Sequence, residues 1–192
     1  MGPYRPVGLA APLRRSLVSR RLGRDPYRAV IQQFNRKGVR YVVVGMAGIN
    51  YYARNPAETF ATLDYDLFLE PSLRNVERAI LVLQAFGFTL GTSAGVLHSV
   101  DLRRMVRHRT TLTATTPDGL MIELLLEVSG YPFSELSRDA ATVTIWGVPV
   151  KVGRLSKLLR SKQLAGRPKD RQFLRRYQAL LREEPSVTRG TR

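Results

Sequence analysis

The order of local signals along this chain predicts an α+β domain, a mixed β-sheet flanked by helices, with basic helices at the C-terminal end. Three observations carry the prediction. The β-branched run Tyr41-Val42-Val43-Val44 sits between two helix-forming segments. Two strand-like stretches, 110–115 and 120–128, are joined by the turn Thr116-Pro117-Asp118-Gly119. Residues 154–184 space apolar side chains at helical intervals among lysines and arginines.

Taken in order, Asp25-Pro26 opens a helix, with Asp as N-cap and Pro at the first helical position. Val30, Ile31 and Phe34 fall on one face of it, and Gly38 closes it. The Tyr41–Val44 run reads as a buried strand ending at Gly45, followed by a short helix over 46–54 that Asn55-Pro56 breaks. Residues 63–69 alternate as a strand, with Leu63, Tyr65 and Leu67 facing the core. Pro71-Ser72 starts a helix that runs to Phe86 and stops at Gly87. The small, polar stretch 91–100 reads as a loop, followed by the cluster Arg103, Arg104, Arg107 and Arg109. Beyond the 110–128 hairpin, Tyr131-Pro132 leads into a helix through Ala140. A second hairpin turns at Gly147 and places Trp146 in the core. Two basic amphipathic helices follow, separated by Gly166-Arg167-Pro168.

The chain has 192 residues, 44% hydrophobic and 24% charged, which suits one domain with a short appendage. Without cysteine, disulfides, thiolate zinc sites and a cysteine nucleophile are excluded. This composition fits a reducing cytoplasm, the expected location. His98 and His108 are the only histidines and read as surface residues, so a multi-histidine metal site is excluded too. No apolar run approaches the roughly 20 residues of a membrane span, and no membrane partner is expected.

The net charge is +16 and unevenly spread. Residues 1–40 carry ten Lys/Arg against one acid, and residues 154–192 twelve against three, so each end has a net +9. The middle, 41–153, holds nine basic and eleven acidic residues. The expected organisation is a basic arm over 1–24, a core domain over 25–153, and a basic helical element and tail over 154–192. Such a field draws in polyanions, and nucleic acid is the natural partner. A merely solubilising surface is the plainer alternative. The arm has six arginines and no acid before residue 25, a composition shared by transit peptides, nucleic-acid-binding arms and unstructured tails.

Residues two apart on a strand share a face, so Asp64 and Asp66 point together. Adjacent carboxylates repel unless a divalent cation lies between them, and Mg²⁺ is the usual ion, with Mn²⁺ as a substitute. Glu123, between the core residues Ile122 and Leu124 on another strand, offers a third ligand. Three carboxylates of this kind suit a two-metal site for phosphoryl transfer. An Asp-x-Asp by itself is more often an exposed strand face. Upstream, Gly45-Met46-Ala47-Gly48 forms a glycine turn opening a helix, a place where backbone amides receive phosphate.

The run from Tyr41 to Gly48, followed by Thr62-Leu63-Asp64-Tyr65-Asp66-Leu67, resembles the signature of the polymerase-β-like nucleotidyltransferase superfamily. Ile122-Glu123-Leu124-Leu125 resembles its third-carboxylate strand. Gly147 to Val152, Lys162, Gly166-Arg167 and Lys169-Asp170 are similar to the tail of its minimal, stand-alone branch, related to abortive-infection and toxin–antitoxin nucleotidyltransferases. The likeness spans residues 28–182.

This resemblance implies a nucleotidyltransferase fold and transfer of a nucleoside monophosphate from a nucleoside triphosphate, such as ATP, to an acceptor hydroxyl. By matching position, Asp64 and Asp66 bind both metals, and Glu123 binds one and acts as, or helps orient, the base for the acceptor hydroxyl. Gly45 and Met46 meet the triphosphate, Lys162, Arg167 and Lys169 lie near its phosphates, and Asp170 holds Arg167 or Lys169. RNA, including tRNA, suits the charge as acceptor, a protein hydroxyl is the other option, and a cognate antitoxin protein is an implied partner. A small cationic acceptor would be repelled. The sequence departs from the family pattern at Met46, where a small or hydroxyl residue is usual, at Glu123, where Asp is usual, and in an insertion over 55–60. The alternative function is a non-catalytic member that binds RNA or a protein through its basic flanks.

Overall fold

A computed structural model describes residues 7–8, 26–92, 95–97 and 99–183. The described strands are β1 (Val7–Gly8), β2 (Tyr41–Val43), β3 (Asp64–Leu69), β4 (Thr89–Thr92), β5 (Gly95–Val96), β6 (Ser99–Val100), β7 (Leu112–Thr115), β8 (Met121–Leu125), β9 (Ala141–Ile145) and β10 (Val148–Val152). The helices are α1 (Pro26–Arg36), α2 (Gly45–Asn50), α3 (Leu73–Ala85), α4 (Leu102–Arg107), α5 (Phe133–Arg138), α6 (Leu155–Ala165) and α7 (Pro168–Glu183). Asp25, His98 and most of the basic arm and tail lie outside the described residues.

Eight strands form one mixed sheet in the order β5-β4-β7-β8-β3-β2-β10-β9. β3 runs parallel to β8, and β2 parallel to β10; the other neighbours are antiparallel. β1 pairs separately with β6. The molecule is therefore α+β, as the element order predicts.

Strand alternation divides the sheet into two faces. On the first, Tyr65, Leu67, Ile122, Leu124, Leu112 and Val150 pack against α1 through Ile31 and Phe34, α3 through Ile80 and Leu83, and α4 through Leu102. Each fully buried Leu, Ile or Phe contributes about 1.5–3 kcal/mol through removal from water. On the second face, Val42, Val44 and Phe68 meet Phe133 and Leu136 of α5, Leu158 of α6 and Phe173 of α7. On the same face Thr142 and Thr144 of β9 are exposed.

Three sequence expectations are corrected. Leu63 is 86% exposed, because the β3–β8 ladder begins only at Asp64, paired with Met121. The segment read as a loop over 91–100 instead extends the sheet: Gly91 pairs with Val96 and Thr92 with Gly95. Trp146 is 79% exposed, since it occupies the tip of the β9–β10 hairpin and not one of its strands.

Candidate active site

Two neighbouring strands bring the acids together. Asp66 pairs directly with Glu123 across the parallel β3–β8 register, and Asp64 lies two residues before Asp66 on the same face. All three are half-buried, and each offers a carboxylate oxygen within 4.8 Å of the others. Thr62 donates its hydroxyl to Asp64 Oδ1 at 2.5 Å, which fixes one carboxylate of the group.

The turn before α2 is shaped by Asp66. Gly45 has φ +61°, and a Cβ there would lie 1.6 Å from Asp66 Oδ2. Only glycine therefore lets the backbone pass this close to the acid. Val44 donates its amide to the Asp66 carbonyl at 3.0 Å, locking turn and strand together. Met46 lines the cavity but packs against the apolar cluster around Phe68 and Leu158. A side chain in that role leaves the backbone, not the thioether, as the polar surface of the turn.

The opposing wall comes from the C-terminal helices. Lys162 on α6 reaches Asp170 Oδ1 at 3.1 Å, and Arg167 Nε donates to Asp170 Oδ2 at 2.6 Å. Lys162 also stands 5.3 Å above the Phe173 ring. Asp170 is only 1% exposed. Burial alone would raise its pKa, but the hydrogen bonds from Arg167 and Lys162 outweigh it and hold the carboxyl below its ordinary range. Asp170 thus braces Lys162 and Arg167, whereas Lys169 is exposed.

A cavity of about 450 Å³ joins these parts. Gly45, Met46, Asp64, Asp66, Glu123, Lys162, Arg167 and Lys169 all line it. Sequence reasoning did not place Ser129 and Ser161 there, and isolated serines carry no spacing signal that would have done so. Nor did it foresee what the 55–60 insertion does. Asn50 brackets Phe60 with two hydrogen bonds, of 2.8 and 2.9 Å, and the Phe60 ring meets Phe173 edge-on at 4.8 Å. The insertion therefore steadies α7 beside the cavity.

Oxygen donors in a half-buried cluster suit a hard divalent cation such as Mg²⁺. Burial, reinforced by the charges of Asp64 and Glu123, pushes the Asp66 carboxyl from 3.8 up to about 7. Its proton therefore stabilises the metal-free fold fully below about pH 3.8, and this contribution is lost as pH rises through about 7. In metal-free buffer, the Tm of the wild type relative to Asp66→Asn should fall between about pH 4 and pH 7 and level off above that. Melting curves for both proteins across that range check this; parallel curves would show that Asp66 ionises normally.

The chain matches no protein-family model and no curated protein sequence, so any functional reading rests on the chemistry of this cavity and on the resemblance carried by its residues.

Proposed function

We propose that the protein is a metal-dependent nucleotidyltransferase of the polymerase-β-like type that moves a nucleoside monophosphate from a nucleoside triphosphate to a hydroxyl on RNA. One observation carries the reading: three half-buried carboxylates share a cavity with Lys162, Arg167 and Lys169 on the facing wall. Carboxylates alone would repel a triphosphate, and cations alone would bind it without activating anything. Together they suit an anionic substrate delivered with divalent metal.

Asp64, Asp66 and Glu123 would hold the metal, which would supply charge neutralisation at the phosphates and ease deprotonation of the acceptor hydroxyl. The acceptor oxygen then attacks the α-phosphorus, and the bond from that phosphorus to the bridging oxygen breaks. Pyrophosphate departs with the electron pair, and the acceptor proton passes toward Glu123 or solvent. Lys162 and Arg167, pre-positioned by Asp170, face the charge developing on the leaving phosphates. The Glu123 pairing with Asp66 reaches the cavity despite the longer side chain. The net charge of +16 favours RNA as acceptor. The toxin–antitoxin connection is carried by the resemblance alone.

The test is direct. The protein is incubated with Mg²⁺ or Mn²⁺, each α-labelled nucleoside triphosphate and total RNA. Label should appear on RNA, require the divalent ion, and be absent when the label is on the γ-phosphate. Label on the protein itself would move the acceptor to a protein hydroxyl. RNA binding with no labelled product under any combination would favour the non-catalytic alternative.

A further inference from the structure

On the second face of the sheet, α5 lines a second groove of about 650 Å³ that shares no residue with the carboxylate cavity. Arg40, Arg138 and Lys151 line this groove together with Asn35, Ser134 and Ser137, and no carboxylate does. Arg40 is engaged by Glu70 and lies over the Phe133 ring. Arg138 and Lys151 are exposed, and neither has an acidic partner among the described residues. Lys151 Nζ donates to the Thr142 hydroxyl at 2.8 Å.

The groove continues onto a bare strip of sheet. Lys151 pairs with Thr142 and Pro149 with Thr144, and all four are exposed on that face. Four residues beyond Thr142, roughly 13 Å at strand spacing, the hairpin tip carries Trp146. Its indole is 79% exposed, its backbone has φ +48°, and its carbonyl accepts a hydrogen bond from Arg28 at 2.9 Å. A large exposed aromatic held at the end of a hydroxyl-lined, carboxylate-free basic strip has the parts that single strands use: cations for phosphates and a ring for a base.

We infer that this outer half of the second face binds a segment of single-stranded RNA, with Arg138 and Lys151 on phosphates and Trp146 stacked on a base. The inference shares the proposed acceptor class but needs no transfer chemistry. It assigns the strand a track along a groove separate from the carboxylates, in addition to the basic ends of the chain. An acidic peptide would also meet the cations, but it would give Trp146 no π-face to stack on.

Trp146 is the only tryptophan in the chain, so its fluorescence reports this surface alone. The full-length protein is titrated with a fluorescein-labelled, mixed-sequence single-stranded RNA in Mg²⁺-free buffer. Trp146 should be quenched on binding. Arg138→Glu with Lys151→Glu should weaken binding at least about twentyfold at 0.1 M salt and lower the log–log salt slope by about 1.4, or about 0.7 per phosphate lost. Trp146→Ala should weaken it about five- to hundredfold, and Trp146→Phe should restore most of that. All three positions are exposed, so melting curves should be unchanged.

The same charge change on the other face, Arg104→Glu with Arg107→Glu on α4, should have much less effect, because screening acts over about 10 Å at this salt. Equal losses in the two charge-reversal variants would overturn the inference, as would an unquenched Trp146. Quenching by polyglutamate as strong as that by RNA would overturn it in favour of an acidic protein partner. A wild type that labels RNA while Trp146 stays unquenched removes this surface and leaves the transferase reading intact. Quenching without labelling does the reverse.

Discussion

Asp64→Asn and Asp66→Asn should each cut nucleotide transfer by about a thousandfold or more. The metal contributes several kcal/mol of charge stabilisation, and each 1.36 kcal/mol is tenfold in rate. Asparagine keeps the shape and one carbonyl oxygen but supplies no negative charge. The same substitutions should raise the Tm of metal-free protein above pH 7, because each removes a charge from a cluster already repelling itself. In the wild type, Mg²⁺ with nucleotide at a hundredfold excess over Kd should add about 2.7 kcal/mol of stability by linkage. The double variant should lose that response. Transfer assays and melting curves on the same preparations decide the matter; transfer persisting in Asp64→Asn would exclude this cavity as the active site.

Gly45→Ala should be nearly as damaging, by a different route. The added Cβ meets Asp66 Oδ2 at 1.6 Å, and the φ of +61° costs a non-glycine residue about 1–2 kcal/mol before any clash. Either the turn shifts or the Asp66 carboxylate does, and both disturb the cluster with Glu123. The Tm should fall by roughly 4–8 °C for a loss near 2 kcal/mol, and the Mg²⁺-nucleotide response should disappear. Gly119→Ala is the matched control. Its φ is +86° but open space surrounds it, so it should lose stability while keeping transfer and the metal response. Equal loss of transfer in both variants would show that Gly45 matters only as a turn residue.

Much of the cavity was legible because its acids obey strand periodicity. Asp64 and Asp66 had to share a face, and Ile122 and Leu124 fixed the parity of Glu123. What periodicity could not supply was register. That Asp66 sits opposite Glu123, and not one pair along, depends on a parallel ladder between strands distant in sequence, and only the resemblance suggested it. The cations on α6 and α7 were likewise placed by resemblance, since nothing local marks Asp170 as buried.

The misses have local causes. β4 and β5 are built from Thr, Leu, Gly and Val in a stretch of low strand propensity; β4 owes its pairing to β7, and β5 pairs in turn with β4. Trp146 was assigned to the core on its apolar character, but the left-handed turn it shares with Gly147 carries it out of the strand. Leu63 followed the alternation one residue past the point where the ladder begins.

The acids of the cavity and the cations that balance them come from successive stretches of chain, with β10 completing the sheet at Val152 before α6 begins. A chain emerging from the ribosome, where folding proceeds from the N-terminal side, can therefore assemble the full sheet and its three carboxylates while Lys162, Arg167 and Asp170 are still unmade or inside the exit tunnel. Up to Val152 the chain supplies only the acidic side of the cavity; Lys162, Arg167 and Lys169 all follow it. The cationic wall is added last, with α7 seated beside the cavity by the Phe173–Phe60 contact.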